Sequence, residues 1–226
     1  MHKNPRNKLS RRSFLASSLR AALFGTYALN SNARTQTPWS NWSGGLSCSP
    51  KGRYDIAAED QLIDLLRETS GPIRPVGSGH SFSPLVPTDG HLIVIDQLSG
   101  VFDHDSQSLQ ATVGAGTRLG DLGAPLFDIG QGMLNLPDID RQTVAGATAT
   151  GTHGTGINFK SLSGYITGLR IITASGEVKD IDASHGDLFD AARVNLGALG
   201  IVTQIRMQNR KSFKLKKREW TAPTEE

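Results

Sequence analysis

The stretch "RPVGSGHSFS", residues 74–83, sets His80 among two glycines and three serines, with Pro84 directly after it. An imidazole is the side chain best suited to act as nucleophile or base near neutral pH. Small neighbours let a planar ligand or a phosphate approach both the ring and the backbone. Consecutive amide N–H groups in such a loop form an anion-binding nest, to which Ser78, Ser81 and Ser83 add hydroxyl donors. A second segment, "QTVAGATATGTHGTG" (residues 142–156), interleaves glycine, alanine and threonine around His153. Either alone reads as a turn between strands. Together they point to two sides of a diphosphate or of a large planar ligand.

Several other chemistries lack their residues. "GSGHSF" begins like a dinucleotide fingerprint, but its third glycine is missing and Pro84 breaks the helix that should follow. No G-x-x-x-x-G-K-[ST] phosphate loop occurs. "GSGHS" has glycine where a nucleophile elbow needs serine. His80, His91, His104, His153 and His185 stand too far apart in sequence for a paired metal-ligand spacing, and Cys48 is the single cysteine.

The elements that must position these loops follow from periodicity. Leu62, Ile63, Leu65 and Leu66, with Ile56 just ahead of them, recur with helical spacing over Ala57 to Thr69, and Gly71-Pro72 stops that helix. Ile73 to Val76 reads as a short strand leading into the first loop. "LIVID" (Leu92 to Asp96) is an almost pure apolar run, as in a strand buried on both faces. Ser108 to Gly116 reads as a strand, and Thr117 is placed to cap a helix over "RLGDLGAPLFDIG". From Tyr165 two strands meet at the Ser175-Gly176 turn. A helix at Asp187 to Val194 precedes a last strand, Ile201 to Gln208, with Ile201, Thr203, Ile205 and Met207 on one face. Hairpins mixed with crossovers predict an α+β fold in two lobes, not a doubly wound sheet.

The 226 residues carry 24 Lys and Arg against 21 Asp and Glu, with 37% apolar residues, enough for one large or two small packed domains. The charge is uneven. Residues 1–33 hold six basic side chains and no acidic one, leaving 18 basic against 21 acidic elsewhere. A general nucleic-acid reading therefore fails, and no nucleic-acid partner is expected. The first stretch runs from a basic start through Arg11 and Arg12 to the apolar "AALFGTYAL" and then "SNA". It resembles a twin-arginine export signal, which implies a periplasmic or extracellular location, with membrane association as a variant, and a cofactor inserted before export.

The ordered succession "NWSGGLSCSP", "IRPVGSGHSFSPL", "TDGHLIVIDQLSGV", "ATVGAGTRLGDL", "NLPDIDRQTVAGATATGTHGTG", "GLRIITASGEVKDI" and "VNLGALGIVTQI" resembles the FAD-binding domain of the sugar-lactone and alditol oxidases. These include the L-gulonolactone, D-arabinono-1,4-lactone and alditol oxidases, members of the vanillyl-alcohol-oxidase flavoproteins with a PCMH-type, two-lobed FAD domain. The resemblance covers roughly Trp39 to Trp220. It implies that Pro75, Val76, Gly77, Ser78, Gly79, Ser81 and Phe82 wrap the diphosphate and ribityl chain, and that His80 is joined covalently to the flavin 8α-carbon. It further implies that Asp140, Thr143, Gly146, Thr150, Gly151, His153 and Gly154 line the opposite side. Gly200, Ile201 and Val202, in the segment that begins at Gly197, approach through the backbone. Cys48 lies upstream of His80, so a second, cysteinyl attachment of the berberine-bridge kind is not expected.

The implied organisation is an export signal at 1–33, a lead-in at 34–50, the FAD-binding domain at 51–210, and at 211–226 the start of a truncated C-terminal region. The resembled enzymes continue with a substrate (cap) domain bearing a His-x-Gly-Lys segment, which is expected to be missing here. The implied activity is oxidation of a CH–OH group of an aldono-1,4-lactone or alditol, with electrons passed to oxygen or another acceptor. The alternative is an exported flavin-binding fragment, or one subunit of a split enzyme whose partner chain supplies the cap. Either way the catalytic base has no candidate residue.

Overall fold

A computed structural model describes residues 38–224. The stretch read as an export signal, residues 1–33, lies outside the described residues, as do 34–37 and 225–226.

The first described element is a small antiparallel hairpin, β1 (Trp39–Ser40) with β2 (Ser47–Cys48). Strand β3 (Gly52–Asp55) leads to helix α1 (Glu59–Glu68), then β4 (Ile73–Val76) and β5 (His91–Val94). Both β3 and β4 pair in parallel with β5, giving a three-stranded sheet ordered β3-β5-β4. The central position explains the apolar run: Leu92, Ile93, Val94 and Ile95 are all buried. Leu92 and Val94 pack with Trp39 and Val76 on one face, while Ile93 and Ile95 pack with α1 on the other.

Helix α1 presents Leu62, Leu65 and Leu66 to that core, an i, i+3, i+4 stripe. Each such side chain contributes about 1.5–3 kcal/mol by leaving water. No side chain caps its N-terminus, but Glu59 and Asp60 lie in the first turn and Arg67 in the last, complementing the helix dipole. It stops at Thr69, just ahead of Gly71-Pro72.

The second lobe is antiparallel. Its strands are β6 (Val101–Asp105), β7 (Gln110–Gly114), β8 (Gln131–Met133), β9 (Ile166–Ile172), β10 (Val178–Asp182) and β11 (Ile201–Lys211). They are ordered β10-β9-β11-β7-β6, with β8 also pairing to the end of β11. Short helices α2 (Gly123–Asp128), α3 (Val144–Ala149) and α4 (Asp187–Ala192) contribute Leu126, Val144, Ala147, Phe189 and Ala192 to its core. The observed architecture is the α+β, two-lobed one expected.

Strand β11 ties the lobes together. Ile201, at its start, belongs to the core that includes α1, whereas Ile205 and Met207 belong to the antiparallel core. Alternation holds along its length, with Ile201, Thr203, Ile205, Met207 and Asn209 buried. Thr203 Oγ1 and Gln204 Nε2 donate to the Glu59 carboxylate, which also accepts from Arg170 Nε at 3.1 Å. One carboxylate at the head of α1 thus joins the helix of one lobe to two strands of the other.

Two local expectations change. Thr117 does not cap a helix: it is buried, its hydroxyl accepts from Gly100 N at 2.9 Å and donates to Gly114 O at 2.6 Å. A 3-10 helix (Leu119–Leu122) begins the following segment after Arg118, without a side-chain cap. Backbone groups left open where β7 ends claim the hydroxyl before the helix does. The second glycine–threonine segment is also not wholly a loop, since its first part folds into α3.

Candidate functional site

Strand β4 ends at Val76, and the chain enters the first glycine loop along one wall of a cleft. The cleft holds about 920 Å³, counting space open to solvent. Its walls come from three places: residues 74–81 at the end of β4 and the loop after it, one side of α3 with the flanking Gln142, Thr143 and Thr150, and the turn from Asn195 to Gly200 that leads into β11. Leu85, Val86, Ile95 and Val202 add apolar surface.

The first wall is held from behind. Trp42 N donates to Gly79 O at 3.1 Å, Trp42 Nε1 to His80 O at 3.2 Å, and Asn41 Nδ2 to Ser81 O at 3.2 Å. The β1–β2 hairpin therefore binds three consecutive carbonyls. Among the described residues no hydrogen bond uses the amide N–H of Ser78, Gly79, His80 or Ser81. Carbonyls tied down on one side and unclaimed amides in the same loop are what an anion-binding nest requires. Gly79 sits at φ +65° with Trp39 directly beside its missing side chain, so a larger residue meets both strain and a wall.

The serines divide. Ser81 Oγ is occupied within its own turn, accepting from Ser83 N at 3.1 Å and donating to Ser83 O at 3.3 Å. Ser78 Oγ is buried with no hydrogen-bond partner among the described residues. A buried hydroxyl without a partner costs about 1–3 kcal/mol, and a ligand oxygen at this wall removes that cost. His80 stacks on Trp42, ring centroids 5.3 Å apart and planes 18° from parallel. No hydrogen bond among the described residues engages its ring nitrogens.

The second wall uses its polar atoms internally. Thr143 caps α3 by accepting from Gly146 N at 3.3 Å. Thr148 Oγ1 donates to Val144 O at 2.9 Å and Thr150 Oγ1 to Gly146 O at 2.9 Å. What this wall offers the cleft is closeness: Ala145, Gly146 and Ala149 line it. The two walls touch at Gly77 and Thr143, where a Cβ on Gly77 would overlap Thr143 Oγ1. The third wall is a turn built on Asn195, whose Oδ1 accepts from Gly197 N at 2.7 Å and whose Nδ2 donates to Ala192 O at 2.8 Å.

Of the residues singled out from the sequence, Pro75, Val76, Gly77, Ser78, Gly79, His80, Ser81, Thr143, Gly146, Thr150, Gly200 and Val202 line this cleft. Phe82 points to solvent, 73% exposed, with its ring edge-on to Trp42 at 5.7 Å. Asp140 is exposed beside Arg141. After Thr150 the chain turns at Gly151, at φ +69°, and leaves the cleft. His153 is exposed with Nδ1 2.9 Å from Gly154 O, and Gly154 is packed on Asn135 and Leu136. Ile201 is in the core. Sequence reasoning missed Asn41 and Trp42 as the residues that hold the first wall. The pattern "NWSGG" marks a turn, but nothing in it says which distant loop the turn grips. Asn195, Leu196, Gln142, Leu85 and Val86 were missed as lining.

Among the described residues the lining carries Arg74 and His80 but no carboxylate. That balance suits a long anionic ligand. Bare backbone at Gly77 and Gly79, a partnerless Ser78 hydroxyl and a flat wall of small residues together fit a dinucleotide with a diphosphate and a planar ring.

A family described as "FAD binding domain" matches residues 55–182. L-gulono-1,4-lactone dehydrogenase of Mycobacterium tuberculosis is 42% identical over 180 residues, covering 78% of this chain and 42% of the relative. L-gulonolactone oxidase of Mus musculus is 33% identical over 174 residues, covering 75% of this chain and 40% of the relative. The chain thus spans about two fifths of the length of these curated relatives. A solved structure of cholesterol oxidase from Brevibacterium sterolicum superimposes with a TM-score of 0.71 at 20% identity, over 79% of this chain and 38% of that one.

Proposed function

The chain belongs to the FAD-binding domain family, and from that premise we propose that it is the FAD-holding part of an oxidoreductase acting on a CH–OH group of an aldono-1,4-lactone or alditol. The observation that carries the reading is the first wall of the cleft, where Ser78 Oγ is buried without a partner in a loop of unclaimed amides beside His80. Sequence relatives named for gulonolactone supply the substrate class.

Bound FAD supplies the acceptor for a hydride from the carbinol carbon. The chain's own residues would hold and orient it. Amides of the 78–81 loop and the Ser78 hydroxyl would hold the diphosphate, and Arg74, in the same lining, would add a positive charge. Ala145, Gly146 and Ala149 admit a flat ring close to the backbone. His80 would be the point of covalent attachment, one ring nitrogen replacing a hydrogen of the flavin 8α-methyl group. That exchange would release one proton from the imidazole and one from the methyl group and would pass two electrons to an external oxidant such as dioxygen.

Acid precipitation of the full chain, expressed with ample flavin, tests the linkage. Yellow colour that stays with the precipitate is expected, and flavin that washes out completely overturns attachment through His80. Anaerobic mixing with L-gulono-1,4-lactone, D-arabinono-1,4-lactone and xylitol tests turnover. Bleaching by at least one is expected. Bleaching by none replaces the enzyme with a flavin-holding module or a subunit that needs a cap-domain partner chain.

We further propose export by the twin-arginine route, supported by Arg11 and Arg12 ahead of an apolar run that ends in small residues. Replacing both arginines by lysine is expected to retain the precursor in the cytosol. Unchanged export refutes it.

A further inference from the structure

We propose that Trp42 is a positioning residue for flavin attachment, acting through His80; the inference rests on the attachment reading above. A histidine in a glycine and serine loop has two free side-chain torsions and, without support, samples several rotamers. Bond formation needs one of them, with a ring nitrogen directed at the methyl carbon and its plane fixed. No hydrogen bond among the described residues holds the His80 ring, so the restraint must come from packing. The stacked Trp42 indole, 5.3 Å away and 18° from parallel, is the aromatic ring that supplies it.

The indole is itself well anchored. Its backbone N–H and its Nε1–H grip the carbonyls of Gly79 and His80, and the Phe82 ring meets it edge-on at 5.7 Å. Trp42 therefore fixes both the backbone of residue 80 and the plane of its ring. His80 lines the cleft whereas Trp42 does not, so the indole supports the imidazole from outside the lining. At 54% exposure Trp42 contributes little as a core residue, and these contacts are all with the 79–82 loop.

The test compares the full chain with Trp42→Ala, Trp42→Phe and His80→Ala. The first readout is the rate at which acid-stable flavin appears after FAD is added to apoprotein. The second is the Kd for FAD, measured by quenching of flavin fluorescence with His80→Ala in the background so that no linkage forms. Trp42→Ala is expected to slow attachment about two- to tenfold, the size of one aromatic pair. Trp42→Phe, which keeps a stacking ring but loses the Nε1 donor, is expected to restore most of the rate. The Kd for FAD is expected to change less than the attachment rate. Attachment in Trp42→Ala at the wild-type rate overturns the assignment. So does a loss of FAD affinity as large as the loss of rate, which would mark Trp42 as a structural support of the whole loop. Wild-type protein with no acid-stable flavin overturns the attachment reading of His80 and this assignment together. The preceding outcomes overturn the Trp42 assignment alone.

Discussion

The two glycine-rich segments that meet at Gly77 and Thr143 are alike in composition, and they dispose of their polar atoms in opposite ways. In the first loop the carbonyls of residues 79–81 are taken by a hairpin behind it, the amides of 78–81 are left over, and the Ser78 hydroxyl is buried with nothing to bond among the described residues. In residues 143–150 the threonine hydroxyls close on the backbone of their own short helix. The first is a surface with unmet hydrogen-bonding capacity, and the second is a self-satisfied support. Threonine back-bonding to the preceding turn of a helix is what makes the difference, because Ser78 has no helical turn behind it.

Four measurements would break or sharpen that contrast, and the largest effect is expected where the segments touch. Gly77→Ala places a methyl group on Thr143 Oγ1 and should cost about 1–3 kcal/mol in urea unfolding, as overpacking of a close contact does. Combining it with Thr143→Ala should recover part of that loss. Strict additivity of the two changes would mean the contact is not the cause.

Deleting single hydroxyls should then give opposite signs. Ser78→Ala removes a buried group that has no partner, so the apoprotein should be at least as stable, by up to about 1 kcal/mol, while affinity for FAD falls up to about tenfold. A less stable apoprotein would show that Ser78 has a partner within the chain. Thr143→Ala removes a helix cap and should cost about 0.5–2 kcal/mol, with little change in FAD affinity. Equal effects of these two variants on FAD binding would erase the contrast.

The smallest effect is expected far from the cleft, in the turn between β6 and β7. Asp105 accepts from Ser108 Oγ at 2.8 Å and from Gln107 N at 2.7 Å. These hydrogen bonds, the serine hydroxyl first, hold its carboxyl below the ordinary aspartate range. Its folded pKa lies under its unfolded one, so its stabilisation is present above the unfolded pKa and is lost as pH falls through the folded one. Asp105→Asn should flatten the acid limb of a Tm-against-pH curve slightly and leave FAD binding at neutral pH untouched. An acid limb identical to wild type would remove Asp105 from the account.

Much of the fold was legible because burial imposes period on sequence. Leu62, Leu65 and Leu66 repeat at helical spacing since one face of α1 meets a core, and residues 92–95 are uniformly apolar since β5 is covered on both sides. Strand β11 alternates over Ile201, Thr203, Ile205 and Met207 for the same reason. The hairpin β1–β2 was not legible. Its strands are two residues long, and no period can be read from two residues. Thr117 was misread because a hydroxyl before a helical run is equally able to serve a strand end, and only the nearness of Gly100 decides between them.

The sequence by itself determined the residue types at the cleft: which positions have no side chain, where the imidazole sits, and that two such segments exist. Those properties are covalent, and they limit how closely any ligand can approach. Tertiary structure alone decided which segment keeps its donors free. It sets Trp42 against His80 from 38 positions away, and it brings Thr143 against Gly77, where a side chain would leave it no room. It also turns the chain out of the cleft at Gly151, so that His153 and Gly154 lie apart from the lining. Hydrogen bonding and stacking act over a few ångströms and take no account of separation along the chain, so the choice belongs to the folded structure.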